Sequence, residues 1–256
     1  MIATSVTSLI NRDSLVQKLY TDLCQGKIPA IVIPNFLDSA KCQKIANEVL
    51  NSKTSSGCGL TEKIGESINS YVSNKLEYFK NAKVSNRHLN QIFLNNDPRE
   101  TMLKEISKLT KKKIQFAKEN SIPYSQGIIR CHTVGDRVHI HRDNTSFDAP
   151  EFSVSKLSDQ MSAVLHLQTC ESGGELVIYD KFWNTNDERF RNKEFGYADD
   201  IVNHAHMSKI VARQGDLVII NPNKYHSVNI VKGKIKRITL GFFFGQEPES
   251  NFYAWS

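Results

Sequence analysis

Hydrophobic and polar residues alternate with different periods in the two halves of this chain of 256 residues. Up to about residue 120, apolar positions recur every three or four residues, which is the period of a helix that buries one face. The stretch AKCQKIANEVL is an example, with a capping residue at Asp38 or Ser39. Asp97 and Pro98 begin a second helix, which we expect to run to about Lys118.

After Ser121 the apolar residues form short β-branched or alternating runs, such as RVHIHRD, GELVIYD, DLVIIN and KRITLGFFF. Runs of this length, separated by turn residues, predict an antiparallel sandwich or barrel. KIPAIVIPNF adds a short strand at residues 30–33. We therefore expect an α+β fold in one domain over residues 1–256. Residues 1–120 would be mainly helical support outside a double-stranded β-helix (jelly-roll, cupin-like) core at residues 121–256.

Composition narrows the class of protein. No run approaches the roughly 18 apolar residues of a membrane helix, and the N-terminus lacks the pattern of a secretory signal. Five scattered cysteines without CxxC spacing argue against a disulfide framework and for a reducing compartment. These features predict a soluble, cytoplasmic protein.

The formal net charge of +6 raises the question of nucleic acid. The densest basic run, Lys111 to Lys113, lies in a helical pattern without aromatic residues for base stacking, so we interpret it as a solvated helix face. A basic balance also suits a small anionic ligand. We expect a small-molecule substrate and neither nucleic acid nor membrane as a partner; the oligomeric state stays open.

The segment HIHRDN, residues 139–144, is the first candidate for metal chemistry. On a strand, His139, His141 and Asp143 share one face. Two neighbours can chelate one ion, while the third lies roughly 6–7 Å further along. Two pairings are open: His139 with His141, as in cupin-type sites, or His141 with Asp143.

A third ligand comes from GDLVIINPNKYHSVNIV, where His226 follows a proline-containing turn. His141, Asp143 and His226 together make a 2-His-1-carboxylate triad, which suits non-haem Fe(II) and leaves coordination positions open. Arg237 lies eleven residues after His226, and Thr239 shares its strand face. A guanidinium and a hydroxyl placed in this way can bind a carboxylate.

HxD…H followed by RxT at this offset resembles the Fe(II)/2-oxoglutarate-dependent oxygenase superfamily. The resemblance implies Fe(II) at His141, Asp143 and His226, with 2-oxoglutarate as cosubstrate held by Arg237 and Thr239, and O2 as the oxidant. The proposed reaction releases succinate and oxidises a nearby carbon.

Longer segments resemble one branch of that superfamily over about residues 125–256. GGELVIYDKFWN, GDLVIIN and GFFFG…NFYAWS are similar to the cyanobacterial alkaloid halogenases that chlorinate hapalindole-type substrates. In those enzymes a glycine stands two positions after the first iron histidine and leaves room for chloride, whereas this chain has Asp143. The resemblance places His141, not His139, at the iron. Together they predict a relative that hydroxylates and does not chlorinate.

Other residues are candidates for smaller roles. His139, Phe147 and Trp183 are candidate substrate contacts. His204 and His206 form a second HxH pair without a carboxylate or third ligand, which indicates surface or lid histidines.

Three classes of function remain open. The leading class is an iron/2-oxoglutarate hydroxylase acting on an unactivated C–H bond of a small amino-acid-derived or alkaloid-like metabolite. The same chemistry can end in oxidative cyclisation, as in kainoid-type ring closure, or in desaturation. The second class is a cupin-like metal enzyme that uses His139, His141 and His226 without 2-oxoglutarate. The third is a non-catalytic β-sandwich binding module. Arg237 and Thr239 weigh against the last two.

Overall fold

The computed structural model describes residues 4–5, 13–56, 61–248 and 250–256. The helices, α1 to α5 in chain order, span Asp13–Cys24, Ser39–Asn51, Lys75–Phe93, Pro98–Thr110 and Thr145–Asp148. Short 3-10 turns lie at Ile68–Ser70, Leu94–Asn96, Ser153–Lys156, Thr185–Phe190 and Asp199–Val202. The strands, β1 to β18, span Thr4–Ser5, Ile31–Ile33, Ser55–Ser56, Glu62–Ile64, Ile114–Phe116, Lys118–Glu119, Ile122–Pro123, Ile128–His132, Val138–His141, Ser158–Gln168, Ser172–Gly173, Leu176–Phe182, Met207–Ile210, Leu217–Ile220, Lys224–Val228, Val231–Lys232, Arg237–Gln246 and Phe252–Trp255.

The strands form two main sheets. The larger has the order β1-β2-β14-β10-β17-β8-β4-β3, with β18 paired to β17 and β5 paired to β18. The smaller has the order β13-β12-β15-β9. Successive strands β8, β9, β10 and β12 alternate between the two sheets, and β14, β15 and β17 do so again. Residues that are close in sequence therefore face each other from different sheets.

The pleat of the larger sheet separates a hydrophobic face from a polar one. Leu165, Leu240 and Ile129 stand opposite one another on β10, β17 and β8, and all three are fully buried. They pack with apolar residues of the helices, including Ile45 of α2 and Ile106 of α4, in one core cluster. Because side chains alternate along a strand, the residues on either side of these three point to the opposite face of the sheet. That opposite face is where the candidate site lies.

The helix predicted at AKCQKIANEVL forms as α2. Asp38 is its N-cap, and its carboxylate accepts hydrogen bonds from the backbone N–H groups of Ala40 and Lys41 at 2.9 and 3.2 Å. Ile45 and Val49 are buried, as the periodicity predicted, whereas Leu50 is exposed. Local sequence signals were sufficient here, because capping and one-sided burial are both short-range features.

The helix predicted from Asp97 begins as expected but ends earlier. Asp97 caps α4, with proline at its first position, yet the helix stops at Thr110 instead of continuing to Lys118. Lys111 adopts a left-handed conformation with φ of 58°. Residues 114–116 then form β5, which pairs in parallel with β18 near the end of the chain. The basic run therefore follows the helix and does not form a solvated helix face.

The first half also contributes strands to the larger sheet. The predicted strand at residues 30–33 forms β2 over Ile31–Ile33, and β4 pairs with β8. None of the helices in the described ranges has the length and apolar character needed to cross a membrane.

Candidate active site

Strand pairing brings the three predicted metal ligands together. His141 ends β9 and stands directly opposite His226 of β15, and Asp143 follows two residues later. The Oδ2 atom of Asp143 lies 3.5 Å from Nε2 of His226 and 3.9 Å from Nε2 of His141. One potential ligand atom from each residue lies within 4.8 Å of the others. Bonds of about 2 Å to a single ion require ligand atoms at this spacing.

Backbone contacts orient both histidines for ligation. Nδ1 of His141 lies 2.9 Å from the carbonyl oxygen of His139, and Nδ1 of His226 lies 2.9 Å from that of Lys224. A carbonyl can only accept, so each Nδ1 carries the proton and donates it. The Nε2 lone pair is then left for a metal. The carbonyl of Pro222 fixes the third ligand by accepting a hydrogen bond from the N–H of Asp143 at 2.9 Å.

The electrostatics keep two of the ligands in their metal-binding forms. Burial and the neighbouring His226 lower the pKa of His141 to about 4. Burial acts to raise the pKa of Asp143, but the neighbouring His226 and His141 side chains outweigh it and bring that pKa to about 2. At neutral pH the imidazole is neutral and the carboxylate is ionised, as ligation requires.

A cavity of about 700 Å³ lies beside the triad. Its walls come from both sheets, from the segment after β4 and from the loop that carries Phe195. The side chains of β8, β10 and β17 that face it are Ile128, Arg130, His132, Ser162, Val164, His166, Arg237, Thr239 and Phe243. This volume is in the range of small-molecule sites.

Arg237 and Thr239, the predicted carboxylate-binding residues, both line this cavity. Arg237 is buried, yet no described residue hydrogen-bonds to its guanidinium or forms an ion pair with it. Burial lowers the pKa of Arg237 to about 10, which leaves it charged at neutral pH. Since an unpaired buried charge is costly, this group favours an anionic ligand. Gly174, at φ of 65°, leaves room for it: a Cβ atom there would lie 3.0 Å from Cδ of Arg237.

The three residues predicted to contact the substrate lie in two different places. His139 is exposed and lies at the cavity wall. Phe147 and Trp183 are outside the described lining, and their rings lie 4.7 Å apart beside the guanidinium of Arg142, which is 5.2 and 4.4 Å from the two ring centres. These aromatic residues thus contact the side of β9 that faces away from the metal.

Arg142 lies between the predicted ligands His141 and Asp143, directly after β9, and is the centre of a buried cluster. Its guanidinium pairs with Asp148 and, at 3.0 Å, with Glu188. Glu188 also accepts a hydrogen bond from Nε1 of Trp183 at 2.7 Å. The cluster ties β9 to α5 and to the 3-10 turn at Thr185–Phe190, and so supports the strand that carries the ligands.

Sequence reasoning missed several cavity residues. The Phe195 ring lies 5.1 Å from that of His141, but its irregular loop gave no pattern to find it by. Arg130 and His132 alternate along β8, a signal that GIIRCHTV did contain. Nδ1 of His132 lies 2.9 Å from Asp136, which also accepts a hydrogen bond from Thr61. The exposed His204 and His206 fit their interpretation as surface residues.

Residues 3–256 match the family described as carrier-protein-independent halogenase WelO5. The chain belongs to the WelO5 family. The match covers nearly its whole length, and confirms the resemblance to alkaloid halogenases within the Fe(II)/2-oxoglutarate oxygenases.

Two curated relatives are similar to this WelO5 family member. Leucinostatins biosynthesis cluster protein S of Purpureocillium lilacinum is 28% identical over 141 residues, or 53% of this chain and 57% of that protein. The chain therefore matches less than two thirds of that relative. An L-gamma-glutamyl-L-propargylglycine hydroxylase of Streptantibioticus cattleyicolor is 24% identical over 199 residues, which cover 76% of this chain and 74% of that protein.

A solved structure shares the fold of this WelO5 family member. The N-substituted L-amino acid dioxygenase of Burkholderia ambifaria superimposes with a TM-score of 0.62 and 14% identity, covering 94% of this chain and 91% of the other. The same dioxygenase in complex with alpha-KG (2-oxoglutarate) gives a TM-score of 0.59 with 15% identity and the same coverage. At this level of identity the likeness concerns the fold alone.

Proposed function

We propose that the chain is an Fe(II)- and 2-oxoglutarate-dependent dioxygenase that hydroxylates an unactivated C–H bond of a small metabolite. An amino-acid-derived or alkaloid-like compound is the expected substrate. The observation that carries the proposal is the convergence of His141, Asp143 and His226 with the unpaired Arg237 in one cavity. The WelO5 family, a relative named as a hydroxylase and a structural relative that binds 2-oxoglutarate support it.

We also infer that the core is a double-stranded β-helix. The orders β14-β10-β17-β8 and β13-β12-β15-β9 support this, since eight antiparallel strands shared between two sheets are the basis of a jelly roll. The additional strands β2 and β4 extend the larger sheet on either side. We take residues 1–256 as a single catalytic domain.

Each residue of the site has a defined role in this proposal. His141, Asp143 and His226 hold Fe(II), for which two imidazoles and a carboxylate are a suitable ligand set. When bound, the ion supplies O2 activation, coupled to the decarboxylation of 2-oxoglutarate to succinate. Arg237 and Thr239 bind the distal carboxylate of 2-oxoglutarate, so that the other end of the molecule points toward the triad. Apolar wall residues, such as Ile128 and Val164, exclude water from the reacting carbon.

Asp143 favours hydroxylation over halogenation, although the family name refers to halogenases. The resemblance implies that a halogenase has glycine at this position and binds chloride in the vacated place. Here the carboxylate lies within 3.9 Å of both histidine Nε2 atoms and occupies that place. The product is then an alcohol. A product two hydrogen atoms lighter than the substrate would indicate cyclisation or desaturation by the same site.

The first test is an anaerobic titration of 2-oxoglutarate into the Fe(II) protein, followed by succinate release with a panel of amino-acid-derived and alkaloid-like compounds. We expect Arg237→Ala to weaken 2-oxoglutarate binding about 10- to 100-fold, because a charge-assisted hydrogen bond contributes about 1.5–3 kcal/mol. Arg213→Ala, which removes an exposed arginine outside the cavity, is the control. Unchanged affinity in Arg237→Ala would contradict the proposal.

Two further variants separate the proposal from a cupin-like enzyme. Asp143→Ala should abolish succinate formation, because it removes a proposed iron ligand. His139→Ala should keep iron binding and succinate formation, since its exposed side chain lies outside the triad. The opposite result would favour ligation by His139, His141 and His226 without 2-oxoglutarate.

A further inference from the structure

Resting on the proposed function, we propose that Arg130 is a second carboxylate-binding residue in the cavity, separate from Arg237. The carboxylate belongs either to the metal-binding end of 2-oxoglutarate or to the substrate to be oxidised. Both sources share one chemistry, an anion bound by a planar guanidinium beside the triad.

Strand register places Arg130 on the cavity face. It stands opposite Thr239 on one neighbouring strand and opposite Lys63 on the other. Thr239 in turn stands opposite His166 of β10. Directly opposed residues of antiparallel strands point to the same face, so these four side chains form one row across the cavity wall. The next row contains Arg237 opposite His132.

The charge of Arg130 has no direct partner among the residues that the structure describes. Its side chain is partly buried and lines the cavity, yet neither a hydrogen bond nor an ion pair to it is found in the described part. Two of the carboxylates on this side of the cavity have other partners. Glu66 lies 3.8 Å from Lys63, and Asp136 bonds to His132 and Thr61. A guanidinium with five donors and no acceptor is therefore left for a ligand.

Arg130 is close enough to Asp143 of the triad and to Arg237 to interact electrostatically with both. Burial lowers the pKa of Arg130, and Asp143 partly offsets that effect. Its positive charge in turn acts on Asp143, on His141 and on Arg237. Arg130 also shares the cavity with the triad and stands opposite Thr239, in the row next to Arg237. A diacid bound by the metal and Arg237 would therefore lie within reach of Arg130, which favours the metal-binding carboxylate as the ligand.

The charge balance supports a substrate carboxylate as the other source. The charges of a divalent ion, Asp143, dianionic 2-oxoglutarate and Arg237 cancel. Arg130 adds one positive charge that the cosubstrate has not neutralised. The cavity also has apolar walls at Ile128, Val164 and Phe243, so a small carboxylic acid with an apolar side chain fits its chemistry.

The test measures binding in two arms, with wild type, Arg130→Gln, Arg130→Lys and the exposed control Arg213→Gln. The first arm titrates 2-oxoglutarate into the anaerobic Fe(II) protein. The second titrates N-acetyl-L-leucine, and its uncharged carboxamide for comparison, into the Fe(II)–2-oxoglutarate protein by calorimetry. Thermal unfolding of each variant checks that it is folded.

We expect Arg130→Gln to weaken binding about 10- to 100-fold in one arm, since it removes a charge-assisted contact. A loss in the first arm assigns Arg130 to the cosubstrate, and a loss in the second, for the acid alone, assigns it to the substrate. Arg130→Lys should bind more tightly than Arg130→Gln but more weakly than wild type, because lysine keeps the positive charge but lacks the paired N–H donors of a guanidinium. Arg213→Gln should match wild type.

Unchanged affinity of folded Arg130→Gln in both arms overturns the inference. That result differs from failure of the proposed function, in which wild-type protein itself would not bind 2-oxoglutarate.

Discussion

Asp143 is the residue on which the proposed reaction depends most. It follows β9 by two positions, its backbone N–H is fixed by Pro222, and its carboxylate faces both histidines. A glycine there would leave the histidines in place and remove one ligand. In our proposal, the side chain at position 143 thus decides between hydroxylation and halogenation.

We expect Asp143→Gly to bind Fe(II) at least about 10-fold more weakly, since even the loss of groups that orient a ligand costs 10- to 100-fold in metal affinity. Hydroxylated product should be lost. Metal titration and product mass are the measurements, and Asp143→Asn, which keeps the size without the charge, is the matched comparison. Iron affinity equal to that of wild type would place the ion elsewhere. Chlorinated product in added chloride would strengthen the relation to the halogenases.

Arg142 stabilises the ligand strand from the side opposite the metal. We expect Arg142→Met to lower the free energy of unfolding by about 3 kcal/mol, because Asp148 and Glu188 lose their buried cationic partner. Arg191 pairs with the same two carboxylates at 3.4 and 3.1 Å but is half exposed. Arg191→Met should therefore cost less than about 1 kcal/mol. Urea unfolding measures both, and equal losses would contradict a special role for Arg142.

At the scale of elements, two strands contribute to the site, and each has one face in the hydrophobic core and the other in the cavity. On β17, Leu240 packs in the core while Thr239 faces the cavity, and on β8 Ile129 and Arg130 divide in the same way. The core residues hold the register that places the polar ones. A one-residue slip in either pairing would exchange the two sets of side chains.

The helices outside this sheet depend on their caps. We expect Asp38→Ala to destabilise the protein by about 1 kcal/mol, because two N–H groups at the start of α2 lose their acceptor. Asp38→Asn should stay within a few tenths of wild type, since asparagine caps equally well. Thermal or urea unfolding distinguishes the two. Equal destabilisation by both would indicate that the negative charge, and not the cap, is what matters.

At the scale of the whole molecule, burial of neutral histidines links stability to pH. Burial is the main cause that lowers the pKa of His132, His141 and His166, and Arg237 lowers that of His166 further. The unfolded chain binds a proton at each of them near pH 6.5, whereas the folded chain does so only at lower pH. Acid therefore stabilises the unfolded state first.

We expect the metal-free protein to lose stability as the pH falls below about 6.5, by up to about 1.4 kcal/mol per pH unit for each such histidine. His166→Asn should reduce that slope by one such contribution between pH 6 and pH 5. His204→Asn, at an exposed position, should leave the slope unchanged. Urea unfolding at several pH values gives the slopes. An unaltered slope in His166→Asn would contradict its burial as a neutral group.

Local features of the sequence determined the helix caps and the residues of the proposed metal site. Asp97 was recognisable as a cap, and the first cap was narrowed to Asp38 or Ser39, because capping involves only a few neighbouring residues. The period of two along a strand left two ligand pairings open in HIHRDN, and the resemblance of HxD, a distant histidine and RxT to a known family selected His141, Asp143, His226 and Arg237 as the predicted site.

Tertiary structure decided the rest, because those features depend on pairing between distant strands. Helix α4 ends at Thr110 where the chain turns to pair with β18, and nothing local to Lys118 shows this. Phe147 and Trp183 lie beside Arg142 and not in the cavity lining, since α5 and the segment after β12 pack their rings against that guanidinium. Arg130 became a candidate only when register placed it opposite Thr239 on the cavity face. The sequence alone therefore determined which side chains could carry the chemistry. Only the packing of the two sheets decided which of those side chains remain without a partner in the cavity.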